Sequence, residues 1–263
     1  MMRKILGTTT MVVLTALSIL LIGLGCSGDN PVSQADGVCS GTDTPSVIMD
    51  KSSTNLEEPT FVETFDKHSN VGGWSFFGNP DNRIEVYEPH DGNPGAFIHA
   101  TCDGWSCLDT YAPQLRTQVG VSSIFTGDYR ARKVAMVGVD LVTFGPELVT
   151  TEGRPLSLLL RNDNGTPTDW TDDVVAYWIG NKNIPHESGQ FKEFVIEIPS
   201  QSTTLPKGWG IMSGYSTGDD DADWNKAITD VSQITFFYGN PEMFFMFQQW
   251  ELGFDNVAIW LDE

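Results

Sequence analysis

The pattern of apolar and polar positions changes at about Thr60. From there on, short apolar or alternating runs are separated by clusters of Gly, Asn, Asp and Pro, which is typical of a domain built from β-strands. Helical patterning is scarce, and only Trp224 to Thr229 and parts of Ser122 to Arg132 suit a short turn or helix. The predicted strands are Thr60 to Phe65, Arg83 to Glu88, Ala96 to Ala100, Val134 to Phe144, Leu156 to Arg161, Val174 to Ile179, Phe191 to Ile198, Val231 to Tyr238 and Leu252 to Leu261, and Met243 to Gln249 would add a tenth.

This part of the chain has about 205 residues and no internal break, which is enough for one domain with a substantial core. No motif recurs at a fixed period, so a repeat architecture is not indicated. The sequence therefore predicts an all-β fold, a two-sheet antiparallel β-sandwich of the jelly-roll type, over residues 60–263.

The first 25 residues have the features of a secretory signal peptide. Arg3 and Lys4 form a basic region, and an uncharged apolar stretch runs from Met11 to Leu24. That stretch has 14 residues, fewer than the roughly 18 to 20 that a permanent membrane span needs. We expect an exported protein whose mature form contains no transmembrane span.

The residues after Leu24 resemble the bacterial lipobox, in which a small residue precedes a cysteine that receives a lipid. Gly25 and Cys26 fit this pattern, although Gly23 stands where the lipobox usually has leucine. The resemblance implies lipidation of Cys26 and a membrane-anchored lipoprotein that faces the periplasm or the cell surface. Ordinary cleavage further on, for instance after Ala35, would instead release a secreted protein.

Residues 26–59 are rich in Ser, Thr, Asp, Gly and Pro, a composition that predicts a flexible tether. The whole chain carries a formal net charge of −20. Such an excess of acidic residues argues against nucleic acid and anionic membrane surfaces as partners. The lipid anchor would then be the chain's membrane contact.

The chain has four cysteines. Cys102 and Cys107 are close enough in sequence to close a small loop, and an oxidising compartment favours a disulfide between them. With Cys26 assigned to the lipid, Cys39 has no assigned partner.

A series of short sequence motifs occurs in a characteristic order along the predicted domain. It resembles the galactose-binding-like jelly roll, a superfamily that includes carbohydrate-binding modules and the laminin IV domain. The motifs are Phe61 to Asp66, Gly73-Trp74, Ile84-Glu85, Gly95 to His99, Phe125 to Tyr129, Val139 to Leu141, Leu156 to Leu158 and Gly253 to Val257.

This resemblance implies a structural calcium ion where the first and last strands meet. The matching residues are Glu63 or Asp66 on the first strand and Asp255 on the last. Calcium takes six to eight oxygen ligands, which carboxylates and backbone carbonyls at strand ends supply. The alternative for Asp255 is a turn residue that accepts hydrogen bonds from nearby backbone.

Catalytic signatures are incomplete. The acidic run from Asp219 resembles an EF-hand, but Trp224 and Asp230 stand where that loop needs Gly and Glu, so a solvated acidic loop is expected. Ser216 matches the Gly-x-Ser-x-Gly nucleophile elbow, but no histidine follows it. The Glu-x-Asp-x-x-Glu string of laminarinase-like sandwiches is absent. We do not expect an enzyme, although carboxylates from different strands could still meet.

The chain has eight tryptophans, and those in polar loops are the candidates for stacking against sugar rings. We assign Trp74, Trp250 and Trp260 to packing, because they lie beside predicted strands. The predicted ligand-binding residues are Trp105, Trp170 and Trp224 in polar loops, together with Trp178, which alternates with Tyr177 in a strand.

Together these features favour a non-catalytic binding module tethered at the cell surface, with a glycan or another extracellular polymer as its ligand. The alternatives are a structural or adhesive envelope lipoprotein that binds protein partners, and an enzyme that acts on polysaccharide.

Overall fold

The computed structural model describes residues 58–66, 73–77, 84–101, 114–117, 123–145, 153–212, 214–242 and 251–263. Within these ranges the chain forms twelve strands and one helix. The strands are β1 (Phe61–Glu63), β2 (Trp74–Phe77), β3 (Ile84–Gly92), β4 (Gly95–Thr101), β5 (Gln114–Thr117), β6 (Val134–Thr143), β7 (Arg154–Asn162), β8 (Val174–Ile184), β9 (Lys192–Glu197), β10 (Trp209–Ile211), β11 (Gln233–Tyr238) and β12 (Leu252–Leu261), and the helix is α1 (Asp220–Thr229).

The strands form two six-stranded antiparallel sheets, as the sequence predicts. Sheet 1 has the order β3-β4-β12-β6-β9, with β1 paired to the far end of β12. Sheet 2 has the order β10-β8-β7-β11-β5-β2. The fold is therefore an all-β sandwich in which the first strand of the domain pairs with the last.

The core lies between the two sheets and follows from the two-residue period of each strand. On β7, Leu156, Leu158 and Leu160 are all fully buried and point inward. On β12, Phe254 and Ile259 do the same from the opposite sheet. Burying these apolar side chains is the main force that holds the sheets together.

All nine predicted strands are confirmed, and the tenth, Met243 to Gln249, lies outside the described residues. The structure adds three strands that the sequence does not predict, namely β2, β5 and β10. Each has three or four residues, too few to show a clear alternation.

The acidic run at Asp219 begins a helix, so the predicted solvated loop is wrong. The Asp219 side chain accepts a hydrogen bond from the backbone N–H of Ala222, which makes it the N-cap of α1. The carboxylates of the first turn also suit the positive end of the helix dipole. Trp224 and Ile228 then bury the inner face of α1 against the core.

Residues 123–133 form turns rather than a helix. Among the described residues, no helix is long and apolar enough to cross a membrane.

Candidate functional site

Trp170 lies in the loop between β7 and β8, and 45% of its surface is exposed. No other tryptophan that the structure describes is exposed in this way. An exposed indole is unusual because burying it would stabilise the fold. Trp170 is therefore the predicted ligand-binding residue whose position suits contact with a ligand.

The guanidinium group of Arg161 lies under the Trp170 ring, with its central carbon 3.7 Å from the ring centroid. Arg161 points to the outer face of sheet 2, because its neighbour Leu160 points into the core. Such a cation–π contact fixes one face of the indole. The ring is thus held in place before any ligand arrives.

Arg161 is itself held by a buried ion pair. Its Nε donates to Asp173 Oδ2 at 2.6 Å, and both side chains are almost fully buried. Nη1 of Arg161 and Oδ1 of Asp173 have no hydrogen-bond partner among the described residues. A buried pair of this kind gives little net stability but fixes geometry, because breaking it leaves an unpaired charge.

The loop that carries Trp170 is stabilised by hydrogen bonds among its own polar residues. Asn164 and Thr166 both donate to the Asp172 carboxylate, at 3.0 and 2.8 Å. Asn164 and Gly165 have positive φ angles of 53° and 74°, which form the turn. These bonds give the loop a defined shape, so the loop backbone and the Arg161 contact together fix the position of Trp170.

The carboxylates beside Trp170 are kept ionised. Hydrogen bonds from Asn164 and Thr166 hold the pKa of Asp172 below its ordinary value, and hydrogen bonds from Thr171 do the same for Asp169. These exposed oxygens are acceptors for hydroxyl groups that lie next to the ring.

The outer face of sheet 2 continues away from Arg161 as a row of paired residues. Strand pairing places Tyr177, Leu159, Thr235 and Arg116 side by side on four neighbouring strands. Tyr177 donates a hydrogen bond to Glu242. Burial, with this hydrogen bond second, raises the pKa of Tyr177 to about 12, so its hydroxyl keeps its proton.

Two of the predicted ligand-binding tryptophans are core residues, and that prediction is wrong for them. Trp224 is fully buried, packs at 5.1 Å from the Trp209 ring, and donates from Nε1 to Ser202 O at 3.0 Å. Trp178 is 2% exposed and points into the sandwich. A ring without an open face cannot stack on a sugar.

Of the other tryptophans, Trp74 and Trp260 are buried, as expected for packing residues. Trp105 and Trp250 lie outside the described residues, as do Cys26, Cys102 and Cys107.

The predicted calcium ligands fall into two groups. Asp255 is fully buried, and its two carboxylate oxygens accept hydrogen bonds from the backbone N–H groups of Asn93 and Asn256. Asp66 accepts from the backbone N–H of Ala96 at 2.8 Å, at the start of β4 just after the turn that contains Asn93. Glu63 instead accepts from Phe65 N at 3.1 Å.

A further carboxylate, Asp140 of β6, joins Asp255 at this turn. Asp140 Oδ2 accepts from the side-chain amides of Asn93 and Asn256, at 2.9 and 2.7 Å. The sequence gives no local signal for this residue, because Asp140 is far from Asp255 in sequence and becomes its neighbour only through the pairing of β6 with β12. We call Asp66, Asp140 and Asp255 the Asp255 cluster.

The electrostatics of the Asp255 cluster favour a positive charge there. The pKa of Asp255 is raised to about 7, mainly by burial and also by the nearby charges of Asp140 and Asp66, against the lowering effect of the two backbone hydrogen bonds. In the part of the chain that the structure describes, no three His, Cys, Asp or Glu side chains are grouped closely enough to hold a metal by themselves. A cation here would need backbone or amide oxygens as well.

Ser216 is hydrogen-bonded to a carboxylate rather than to a histidine. Its hydroxyl donates to Asp223 Oδ2 at 2.9 Å, and Asp223 also accepts from Thr217. A helix does follow the Gly214 to Gly218 turn, unlike the expectation from the sequence. The hydrogen bonds account for Ser216 as part of the connection between this turn and α1.

No protein-family model matches the sequence, and no curated protein matches it. Solved structures are similar in fold. An exo-β-agarase is 13% identical with a TM-score of 0.42, and the match covers 78% of this chain but 25% of the agarase. A xylan-binding domain from CBM 22 is 10% identical with a TM-score of 0.41, covering 77% of this chain and 94% of that domain.

A carbohydrate-binding module, CBM28, described as specific for non-crystalline cellulose, is 13% identical with a TM-score of 0.34. This match covers 76% of this chain and 93% of the module. Similarity at this level concerns the sandwich architecture and says nothing about what this chain binds.

Proposed function

We propose that this domain is a non-catalytic carbohydrate-binding module that binds a glycan chain through Trp170. The observation that carries the proposal is the exposed Trp170 ring, fixed on one face by Arg161 at 3.7 Å. The free part of such a ring stacks against the apolar C–H face of a sugar. Because the ring is already ordered, little conformational entropy is lost on binding.

Specificity would come from the polar groups around the ring. Asp169 and Asp172 are ionised acceptors within the same loop. Each hydrogen bond between a sugar hydroxyl and a carboxylate oxygen is worth more than a neutral one. A pair of such acceptors beside a stacking platform selects for the orientation of the hydroxyls on the bound sugar.

The test is isothermal titration of the mature protein against a panel of neutral polysaccharides that includes xylan, cellulose and agarose. We expect one of them to bind, and Trp170→Ala to weaken its binding about tenfold or more. The matched control is Ile124→Ala, which removes another exposed apolar side chain, 41% accessible, from the turn before β6. Equal affinity of Trp170→Ala and the wild-type protein would overturn the proposal.

We also propose that the module is exported and held at the cell envelope by a lipid on Cys26. The support is the sequence alone, with its basic start, short apolar stretch and Gly25-Cys26 junction. Radiolabelled palmitate should be incorporated into the full chain expressed in a bacterial host, and Cys26→Ser should abolish the incorporation. Incorporation by Cys26→Ser equal to that of the wild-type chain would contradict lipidation at this residue.

A bound calcium ion at the Asp255 cluster is a further proposal. The carboxylates of Asp66, Asp140 and Asp255 are the hard oxygen ligands that calcium prefers, and a cation would relieve the repulsion among them. When bound, the ion would stabilise the junction of β12 with the turn between β3 and β4, with no part in a reaction.

Calcium at about 100 times its dissociation constant should raise the unfolding midpoint by roughly 5 to 10 °C relative to protein in a chelator. Asp255→Asn should remove this shift, whereas Asp230→Asn, at an exposed position beyond α1, should keep it. Equal midpoints for the wild-type protein with calcium and with chelator would show that the cluster holds no calcium.

A further inference from the structure

The outer face of sheet 1 carries a group of aromatic rings of differing exposure, which we call the aromatic groove. It consists of Phe97 and His99 on β4, Phe144 just after β6 and Phe191 just before β9. The ring centroids of Phe97 and Phe191 are 5.4 Å apart at an angle of 81°, and those of His99 and Phe144 are 5.1 Å apart at 65°. Phe97 forms the floor at 4% exposed, and Phe144 is 37% exposed.

The sequence builds this groove through strand alternation and one glycine. On β4, Ile98 points into the core, so Phe97 and His99 point outward together. Gly253 of β12 pairs with His99, and a Cβ atom there would lie 2.7 Å from the Phe97 ring. A larger residue at position 253 would push Phe97 out of the floor.

The groove is an open depression with a volume of about 340 Å³. This volume is in the range of sites that take a small molecule or one or two units of a polymer. Its lining combines the aromatic rings with polar residues, including Glu88, His90, Asp91 and Gln190.

Two carboxylates border the aromatic floor on either side of His99. Glu251 Oε1 lies 3.0 Å from His99 Nε2, and Glu88 Oε1 lies 3.6 Å from His99 Nδ1. The side chains of Glu251 and Glu88 are 35% and 41% exposed. Glu88 lines the groove, Glu251 borders it through its contact with His99, and both side chains remain partly accessible to solvent.

This combination of groups recognises a positively charged sugar. The faces of aromatic rings are negative and attract cations, and they also stack on the C–H faces of sugar rings. A neutral sugar would gain from the stacking but would bring no positive charge to Glu88 and Glu251. A sugar with a protonated amine would satisfy both the rings and the carboxylates.

We propose that the aromatic groove binds an amino sugar of a glycan chain through its protonated amine, with Glu88 and Glu251 as the charge partners. The proposal rests on the glycan binding proposed above and adds a second surface with its own class of sugar. It places the two binding surfaces on opposite sheets, one at Trp170 on sheet 2 and one on sheet 1.

The test compares the hexamer of glucosamine with the hexamer of N-acetylglucosamine, in which acetylation removes the positive charge of each amine. Titration of the mature protein at neutral pH and low salt should show binding of the glucosamine hexamer and at least tenfold weaker binding of its acetylated form. The double variant Glu88→Gln, Glu251→Gln should lower affinity for the glucosamine hexamer about tenfold. Phe144→Ala should lower it as well, by removing an exposed ring.

The acidic chain attracts any cationic polymer, so the charge control is essential. The double variant Glu58→Gln, Asp220→Asn removes the same two charges from exposed positions elsewhere, and its affinity for the glucosamine hexamer should equal that of the wild-type protein. An equal loss in both double variants would overturn the proposal. So would binding of the two hexamers with the same affinity.

A hexamer of lysine, which carries amines without sugar rings, tests whether the groove prefers the amines of a sugar or those of a basic peptide. Tighter binding of the lysine hexamer than of the glucosamine hexamer, lost in Glu88→Gln, Glu251→Gln, would overturn the assignment to a sugar in favour of a basic peptide. Trp170→Ala should lower the affinity for a neutral polysaccharide but keep the preference for the glucosamine hexamer over its acetylated form. If the protein binds no neutral polysaccharide but still prefers the glucosamine hexamer over its acetylated form, the proposed site at Trp170 is wrong. If it binds the two sugar hexamers equally, the proposed site at the aromatic groove is wrong.

Discussion

At the scale of single residues, Trp170 and Trp224 illustrate what local sequence can and cannot predict. Both follow an aspartate in a polar stretch, and the sequence predicts the same role for both. Trp224 is buried because it lies on the inner face of α1, whereas Trp170 is exposed because Arg161 supports it from beneath. Arg161 and Asp173 were not predicted as site residues, since their pairing across neighbouring strands leaves no local signal.

The support from Arg161 can be tested by Arg161→Lys. Lysine keeps the charge beside Asp173 but lacks the planar group that stacks on the indole. We expect a severalfold loss of glycan affinity, because a cation–π contact of this kind is worth about 1 kcal/mol. Titration would measure the affinity and urea unfolding would check the fold, with Lys207→Arg at an exposed position as the control. Arg161→Lys with wild-type affinity would mean that the loop alone positions Trp170.

At the scale of elements, nine strands could be predicted because the sequence at each shows an alternation or a continuous apolar run, even though β1 itself has only three residues. The short strands β2, β5 and β10 could not, since their residues become strands only by pairing with longer neighbours. The aromatic groove was also invisible in the sequence. It depends on the order β4-β12-β6-β9, which brings together residues from Phe97 to Phe191.

The helix α1 depends on its N-cap, so Asp219→Ala should destabilise the domain by about 1 kcal/mol. The matched control is Asp230→Ala at the other end of α1, where loss of a negative charge does not weaken the helix dipole interaction. Urea unfolding followed by tryptophan fluorescence measures both variants. Equal stability of Asp219→Ala and the wild-type protein would show that the cap contributes nothing to the fold.

At the scale of the whole molecule, the first and last strands of the domain pair with each other. β1 pairs with β12, so residues 61–63 contact residues 257–259. Phe65, just after β1, is fully buried in the core, and Asp66 next to it accepts a hydrogen bond from the backbone of Ala96 in β4. The fold therefore includes contacts between residues about 195 positions apart, and long-range contacts of this kind slow folding because the loop between them must be closed.

This closure predicts where the chain can be shortened. A variant that begins at Glu58 keeps β1, Phe65 and Asp66, and it should unfold in a single transition with the same midpoint as the mature chain. A variant that begins at Asn70 loses them, and removal of the Phe65 ring alone would cost about 3 to 5 kcal/mol, a large part of the stability of an ordinary domain. Thermal unfolding followed by circular dichroism distinguishes the two. If the shorter variant unfolded at the same temperature as the longer one, the pairing of β1 with β12 would be dispensable, and the domain would begin later than Thr60.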